Sequence, residues 1–232
     1  MYQLHIANKN YSSWSLRPWL LLSELGIPFA EQLVTFAQGN GASWRAFRAF
    51  SPNGKVPCLH DGDTVVWDSL AIAEYLAERH AGVWPSDPTA RAWARCAAAE
   101  MHSGFAALRA HCGMNCGVRI RLRDELPPTL VADIARIDEL WSEGLRRFGG
   151  PFLAGATFGA VDAFFAPVAF RIQTYGIGVG PAAWDYAQRL LGLPAMRRWY
   201  ADALRESWRD AEHEAEIPRS GDLLQDLRAP AR

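Results

Sequence analysis

Three short segments of this chain carry groups that could hold an anion or an extended peptide. Tyr11-Ser12-Ser13-Trp14-Ser15 places hydroxyls just ahead of a run with helical spacing. The N–H groups and dipole at a helix start favour an anion there, although a serine in that place also serves as an ordinary cap. Ser51-Pro52-Asn53-Gly54-Lys55-Val56-Pro57 ends with a proline opening a strand, where one ladder donor is forfeited. If the Val56-Pro57 bond is cis, Val56 turns its N–H and C=O toward a ligand, and an extended peptide can pair with it as an added strand. If it is trans, the usual X-Pro state, the segment is a plain loop. Asp68-Ser69 opens another helical run. There Asp68 could take an ammonium while Ser69 and the helix N–H groups take a carboxylate, or the pair could simply cap the helix.

The elements that must position these segments are legible in the spacing of apolar residues. Gln3–Ala7 reads as a strand. Ser15–Leu25 reads as a helix stopped by Gly26, and Glu31–Phe36 as a second strand. Ser43–Phe50 carries Trp44, Phe47 and Phe50 at helical intervals. Val56–His60 and Thr64–Trp67 flank Asp61-Gly62-Asp63, a hairpin signal, and Ser69–Arg79 is an amphipathic helix. The order β-α-β-α-β-β-α over residues 1–81 predicts a mixed four-stranded sheet with a parallel start and an antiparallel hairpin end. Residues 82–88, with two prolines, read as a linker. Over 89–208 helical patterns dominate: Pro88–His111, Pro128–Phe148, Ala160–Tyr175, Ala182–Leu191 and Pro194–Ser207, which predicts an all-α bundle. Residues 209–232 are charged and aperiodic and read as a solvated tail.

Composition narrows the function classes. The 232 residues are 50% hydrophobic and 21% charged, a globular balance. With 24 basic and 25 acidic residues the net charge is −1, so there is no cationic excess to collect phosphates and nucleic acid is not an expected partner. No apolar run approaches the ~20 residues of a membrane span. The N-terminus lacks a signal-peptide layout. Four cysteines, at 58, 96, 112 and 116, do not make a disulfide framework in a chain of this length. These features predict a reduced, cytoplasmic, soluble protein.

In their order and spacing, SSWSLRPWLLLSELGIPF, SPNGKVPCLHDG, WDSLAIAEYLAER and FLAGATFGAVDAFFAPV resemble the cytosolic glutathione S-transferase family over nearly the whole chain. The resemblance implies a thioredoxin-like N-terminal domain followed by a helical C-terminal domain. It also implies glutathione as co-substrate, a small electrophile as second substrate, and a homodimer. The Ser-Ser start looks most like the serine-type zeta and theta branches, some of whose members are maleylacetoacetate isomerases. Carried over by position, Ser12 becomes the hydroxyl that faces the sulfur, with Ser13 and Tyr11 as alternates, and Ser13 lies among the glutathione contacts. Pro57 takes the place of the family's cis-proline, Val56 pairs with the cysteinyl backbone, and Lys55 approaches the glycyl carboxylate. Asp68 and Ser69 stand where the family has Glu-Ser for the γ-glutamyl end. Arg17 falls on a structural arginine. Trp14 departs from the cysteine of zeta enzymes. Gly159 departs from the capping Ser/Thr three before Asp162, and Asp162 is implied as a folding residue.

Such chemistry requires an ionised thiol. A free thiol with a pKa of about 8.5 is only about 3% thiolate at pH 7. Lowering it by ~2 units takes about 2.7 kcal/mol of preference for the anion. A hydroxyl donating to the charge supplies ~1.5–3 kcal/mol and a helix N-terminus up to ~2 kcal/mol. The expected reaction is therefore thiolate attack on an electrophile. The electrophile pocket is expected between the domains, walled by Ala7–Tyr11, Trp14, Met101, Phe105 and Leu108. Isomerisation of a cis-enoyl diacid is the alternative, and would use Arg17 and Arg109 for substrate carboxylates. A third reading is a non-enzymatic binder of glutathione or a partner. His102, His111, Cys112 and Cys116 lack zinc-site spacing, so no metal is expected, and Cys58 reads as a packed core thiol.

Overall fold

The computed structural model describes residues 1–231. The first domain comprises β1 (Tyr2–Ile6), α1 (Ser13–Glu24), β2 (Phe29–Leu33), α2 (Ala42–Phe47), β3 (Cys58–Asp61), β4 (Thr64–Trp67) and α3 (Ser69–Ala77). The strands lie in the order β2-β1-β3-β4. β1 and β2 are parallel, and β3 runs antiparallel to both β1 and β4. Asp61 pairs with Thr64, so Gly62 and Asp63 form the whole hairpin loop, and Gly62 takes the φ of 59° that such a turn needs. Leu4 and Ile6 of β1 are buried, together with Leu16 and Leu20 of α1 and Ile72 and Leu76 of α3. This thioredoxin-like layer is the expected βαβαββα unit.

The second domain is α4 (Pro88–Ser103), α5 (Ala106–His111), β5 (Val118–Leu122), α6 (Pro128–Phe148), α7 (Ala160–Tyr175), α8 (Pro181–Gly192), α9 (Pro194–Arg205), α10 (Ala211–Glu214), α11 (Ile217–Ser220) and β6 (Gly221–Asp226). α7 is its axis: nearly every residue is buried, and it packs against α1, α4, α8 and β5. Burial on all sides explains why its sequence is apolar with no polar face. Asp162 anchors the start of α7. Its Oδ2 accepts the Gly159 N–H at 2.9 Å, and its Oδ1 accepts the Leu153 N–H at 3.0 Å and the Tyr186 hydroxyl at 2.7 Å. Burial nevertheless pushes this carboxyl up to about 6.

Two expectations for this half are corrected. The domain is helical but not all-α, because β5 pairs antiparallel with β6. Residues 209–231 are not a free tail: they fold back as α10, α11 and β6. Their periodicity is faint because β6 is mostly exposed on its side-chain surface. The backbone ladder to β5 holds it, along with Arg228, which binds Glu214 and Asp226. The single helix expected over Pro88–His111 is also broken, at Gly104 and at Phe105, whose φ is 58°.

Candidate active site

The loop between β1 and α1 is buried from Asn8 to Ser13. A buried loop must have its polar backbone groups met by other chain segments, and here the helical domain meets them. Glu206 accepts the N–H groups of Lys9, at 2.7 Å, and Asn10, at 3.2 Å. Trp199 Nε1 donates to the Lys9 carbonyl at 2.9 Å. The Cys116 N–H donates to the Asn10 carbonyl at 3.2 Å. The Lys9 ammonium bridges Glu31 and Asp202 at 2.9 and 2.8 Å. None of these partners was legible in the sequence, since they lie up to 197 residues away.

This clamped loop leads into a cleft of about 450 Å³ between the domains. The first-domain wall includes Tyr11, Ser12, Ser13, Trp14, Trp44, Lys55 and Val56. The Ser12 hydroxyl bonds Ser15 Oγ at 2.7 Å, and Ser15 Oγ also accepts the Ala7 N–H at 3.2 Å, tying the end of β1 to the start of α1. The Ser13 hydroxyl has no protein partner among the described residues, nor do the N–H groups of Trp14 and Ser15 in the first turn of α1. The Tyr11 hydroxyl donates to Glu214 Oε1 at 2.7 Å. Burial, then this carboxylate, raises the phenol far above its ordinary range. Its proton therefore goes to the folded-back C-terminal segment.

The Val56–Pro57 peptide bond is cis. Val56 lies outside β3, and neither its N–H nor its C=O is bonded within the protein among the described residues. Gly54, at φ 67°, makes the preceding turn; a Cβ there would meet the Trp44 ring at 2.5 Å, so glycine is needed both for the turn and for the approach of the indole. Lys55 is exposed at the cleft edge and has no carboxylate within 4 Å among the described residues.

Asp68 and Ser69 do not line the cleft itself. Asp68 caps α3, its Oδ1 accepting the Leu70 N–H at 2.8 Å, while Oδ2 lies 3.3 Å from His102 Nε2. Its φ of 76° is one that L residues rarely adopt, a strain of order 1–3 kcal/mol. Ser69 is buried and accepts Arg17 Nη1 at 3.4 Å. Arg17 is itself buried, and its Nε and Nη2 have no hydrogen-bond partner among the described residues. Its guanidinium lies 4.2 Å from the Trp14 ring centroid, and burial, then the neighbouring Arg109 and Arg171, depress its pKa.

The expected second-domain wall is corrected. Met101, Phe105 and Leu108 are buried core residues and do not line the cleft. The wall is formed by Arg109, Gly113, Met114, Arg171, His213 and Glu216. The break at Gly104 and Phe105 reorients the chain, so the face extrapolated from a continuous helix is the wrong one. His213 was missed because it belongs to the segment read as a tail; it stacks on Tyr11 and pairs with Asp210 at 2.6 Å. The three buried cysteines are held as thiols: burial pushes Cys58 up to about 11 and Cys112 up to about 12, and drives Cys116 upward as well. Among the described residues no three His, Cys, Asp or Glu side chains form a metal-sized group, and no helix is long and apolar enough to cross a membrane.

A buried β1–α1 loop, a cis-proline beside an unpaired backbone and a helical domain closing the cleft agree with a family match. Residues 11–79 match the glutathione S-transferase N-terminal domain family. The chain has the glutathione S-transferase fold. A glutathione S-transferase of Escherichia coli strain K12, GstB, is 25% identical over 217 residues, covering 83% of this chain and 88% of that protein. Among solved structures, the theta-class glutathione S-transferase from Xanthomonas axonopodis pv. citri with glutathione bound is 26% identical, with a TM-score of 0.62 over 86% of this chain and 96% of that one. A Burkholderia glutathione transferase homologue with bound glutathione is 22% identical, with a TM-score of 0.60 over 87% of this chain and 97% of that one. Both the N-terminal domain and the helical domain therefore have counterparts in glutathione S-transferases.

Proposed function

We propose that this protein is a glutathione transferase that ionises the bound thiol and directs it at a small electrophile. The observation that carries the reading is one cleft wall that includes three groups unmet among the described residues: the Val56 backbone pair, the Ser13 hydroxyl and the first-turn N–H groups of α1. On this reading the cysteinyl part of glutathione pairs with Val56 as an added strand. Lys55 takes the glycyl carboxylate, and Asp68 with Ser69 receives the γ-glutamyl end. The sulfur then lies at the start of α1. Ser13 donates to it without giving up any bond, whereas Ser12 has to turn its single proton away from Ser15 Oγ to do so. Neither serine loses its own proton. The thiolate attacks the electrophilic carbon, a C–S bond forms, and any leaving group departs with its electron pair.

Ultraviolet titration of the protein–glutathione complex tests this directly. The thiolate band is expected to appear with a midpoint at least about 1 unit below the free thiol value of about 8.5. Retention on immobilised glutathione with an unshifted midpoint would replace the enzyme by a binding protein.

A further inference from the structure

We propose that the electrophile taken by this cleft bears a carboxylate, and that Arg109 and Arg171 of the helical domain hold it. The inference rests on the transferase reading and names its substrate class. Arg171 is only 3% exposed. Its Nε donates to the Cys112 carbonyl at 2.7 Å and its Nη1 to the Pro167 carbonyl at 3.3 Å. Both partners are neutral, and its Nη2 has no protein partner among the described residues. Arg109 gives its Nε to the Gly104 carbonyl at 3.1 Å and its Nη2 to the Met101 carbonyl, and its guanidinium lies 4.7 Å from the Trp14 ring centroid. Both arginines line the cleft.

Neither has a carboxylate within 4 Å among the described residues, whereas Arg121, Arg136 and Arg228 each have one. Both guanidiniums hydrogen-bond only neutral carbonyls, and the carboxyls that oppose their charge, Asp133 for Arg109 and Glu216 for Arg171, lie beyond 4 Å, so the pair is poorly compensated. The strain is compounded by like charge: Arg17 lies on the Trp14 ring at 4.2 Å, where Arg109 also rests. Burial, then Arg171, pulls Arg109 down to about 10. Glu216 is the carboxyl on this wall. It packs against the Gly113 backbone, where a Cβ would fall 1.9 Å from its Oε2, and it makes no ion pair within 4 Å with either arginine. An anion in the cleft is the group this wall lacks. Because the same cleft holds the Ser13 hydroxyl and Val56, that anion sits on the molecule the sulfur attacks.

The test pairs 4-chloro-3-nitrobenzoate with its methyl ester, each reacting with glutathione. In both, a C–S bond forms at the chlorinated carbon and chloride leaves with the electron pair, with no oxidation or reduction. Each kcat/KM is divided by the uncatalysed rate constant. The acid is expected to be favoured at least about tenfold, the scale of one charge-assisted hydrogen bond. Arg109→Met and Arg171→Met should each lower that ratio about tenfold. The wild-type ratio needs no variant, and Arg109→Met serves if Arg171→Met does not fold. An ester handled as well as the acid, with turnover intact, overturns the inference and leaves the transferase reading standing. If neither compound nor neutral 1-chloro-2,4-dinitrobenzene reacts, the transferase reading fails. Tryptophan quenching by unreactive 3-nitrobenzoate then decides the anion site alone: saturable binding that is lost in Arg109→Met supports it, and binding no tighter than the methyl ester's overturns it.

Discussion

The helical domain also borders a second hollow, far larger than the cleft, and the two differ in kind. The groove beneath β5 and β6, against α6 and the end of α7, has a volume of about 1220 Å³, compared with about 450 Å³ for the cleft. Each of its arginines nevertheless has at least one partner among the described residues. Arg119 binds the Tyr200 hydroxyl, Arg121 binds Asp222, and Arg123 binds the Pro218 carbonyl. In the cleft the Val56 backbone, the Ser13 hydroxyl, the first-turn N–H groups of α1 and Nη2 of Arg171 are all unmet among the described residues. The groove leaves one buried acceptor unmet, Gln173 Oε1, whereas the cleft gathers several unmet donors and an extended backbone pair, and that difference in kind, rather than volume, marks the cleft as the candidate site. A buried donor left without a partner costs about 1–3 kcal/mol, and a ligand that supplies the partner recovers it.

α7 serves both hollows, with Arg171 facing the cleft while Gln173, Thr174 and Tyr175 face the groove. The largest expected effect is therefore one that erases the comparison. Asp162→Ala orphans two buried N–H groups and the Tyr186 hydroxyl, and should lower stability by at least about 3 kcal/mol, read as a shifted denaturation midpoint with both hollows lost together. Next come the serines. Ser12→Ala combined with Ser13→Ala should slow glutathione addition by about 10- to 100-fold and raise the thiolate midpoint, with thermal stability near wild type. The single variants rank the two hydroxyls, and full activity in the double variant would sink the hydroxyl mechanism. Val131→Ser, on the groove wall and 50% exposed, supplies the contrast. It should leave the thiolate midpoint and turnover within about twofold, as surface changes away from special features do.

The smallest effect concerns pH and is confined to the first domain. His5 stacks on Phe50 with ring centroids 4.2 Å apart. Burial, then the neighbouring His60, lowers its pKa to about 4. Between about pH 4 and the ordinary value near 6.5 the folded state binds fewer protons than the unfolded chain, so His5 costs stability as the pH falls through that window. Asp162, raised to about 6, acts in the opposite sense, because its folded form holds a proton that the unfolded chain has lost. The His5 contribution is therefore read as a difference: from pH 7 to pH 5, His5→Phe should lose less stability than wild type in denaturant titrations.

Much of this molecule was legible in order along the chain. Apolar spacing gave the βαβαββα unit, the hairpin at Gly62 and the long helices α6 and α7, because a half-buried or wholly buried element must carry its burial in its sequence. The resemblance pointed to Ser12, Ser13, Lys55 and Val56, and those four residues meet on one wall of the cleft. The opposite wall was not legible. Met101, Phe105 and Leu108 were extrapolated from an unbroken helix, and no local signal announced the left-handed turn at Phe105. His213 and Glu216 sit in a segment whose order comes from the ladder to β5 and from Arg228, contacts formed across about 100 residues or by charge rather than by periodicity.

By itself, then, the sequence determined the two-domain division and the loop types that bear hydroxyl and backbone donors, since local spacing and turn chemistry act over a few residues. Only the tertiary structure decided which donors stay free. Ser12 found Ser15, Tyr11 found Glu214, and Asn10 found Glu206, while Ser13, Val56 and part of Arg171 found no partner among the described residues. Whether a polar group has a partner depends on what the rest of the chain brings within about 3 Å of it, and no reading along the sequence measures that distance.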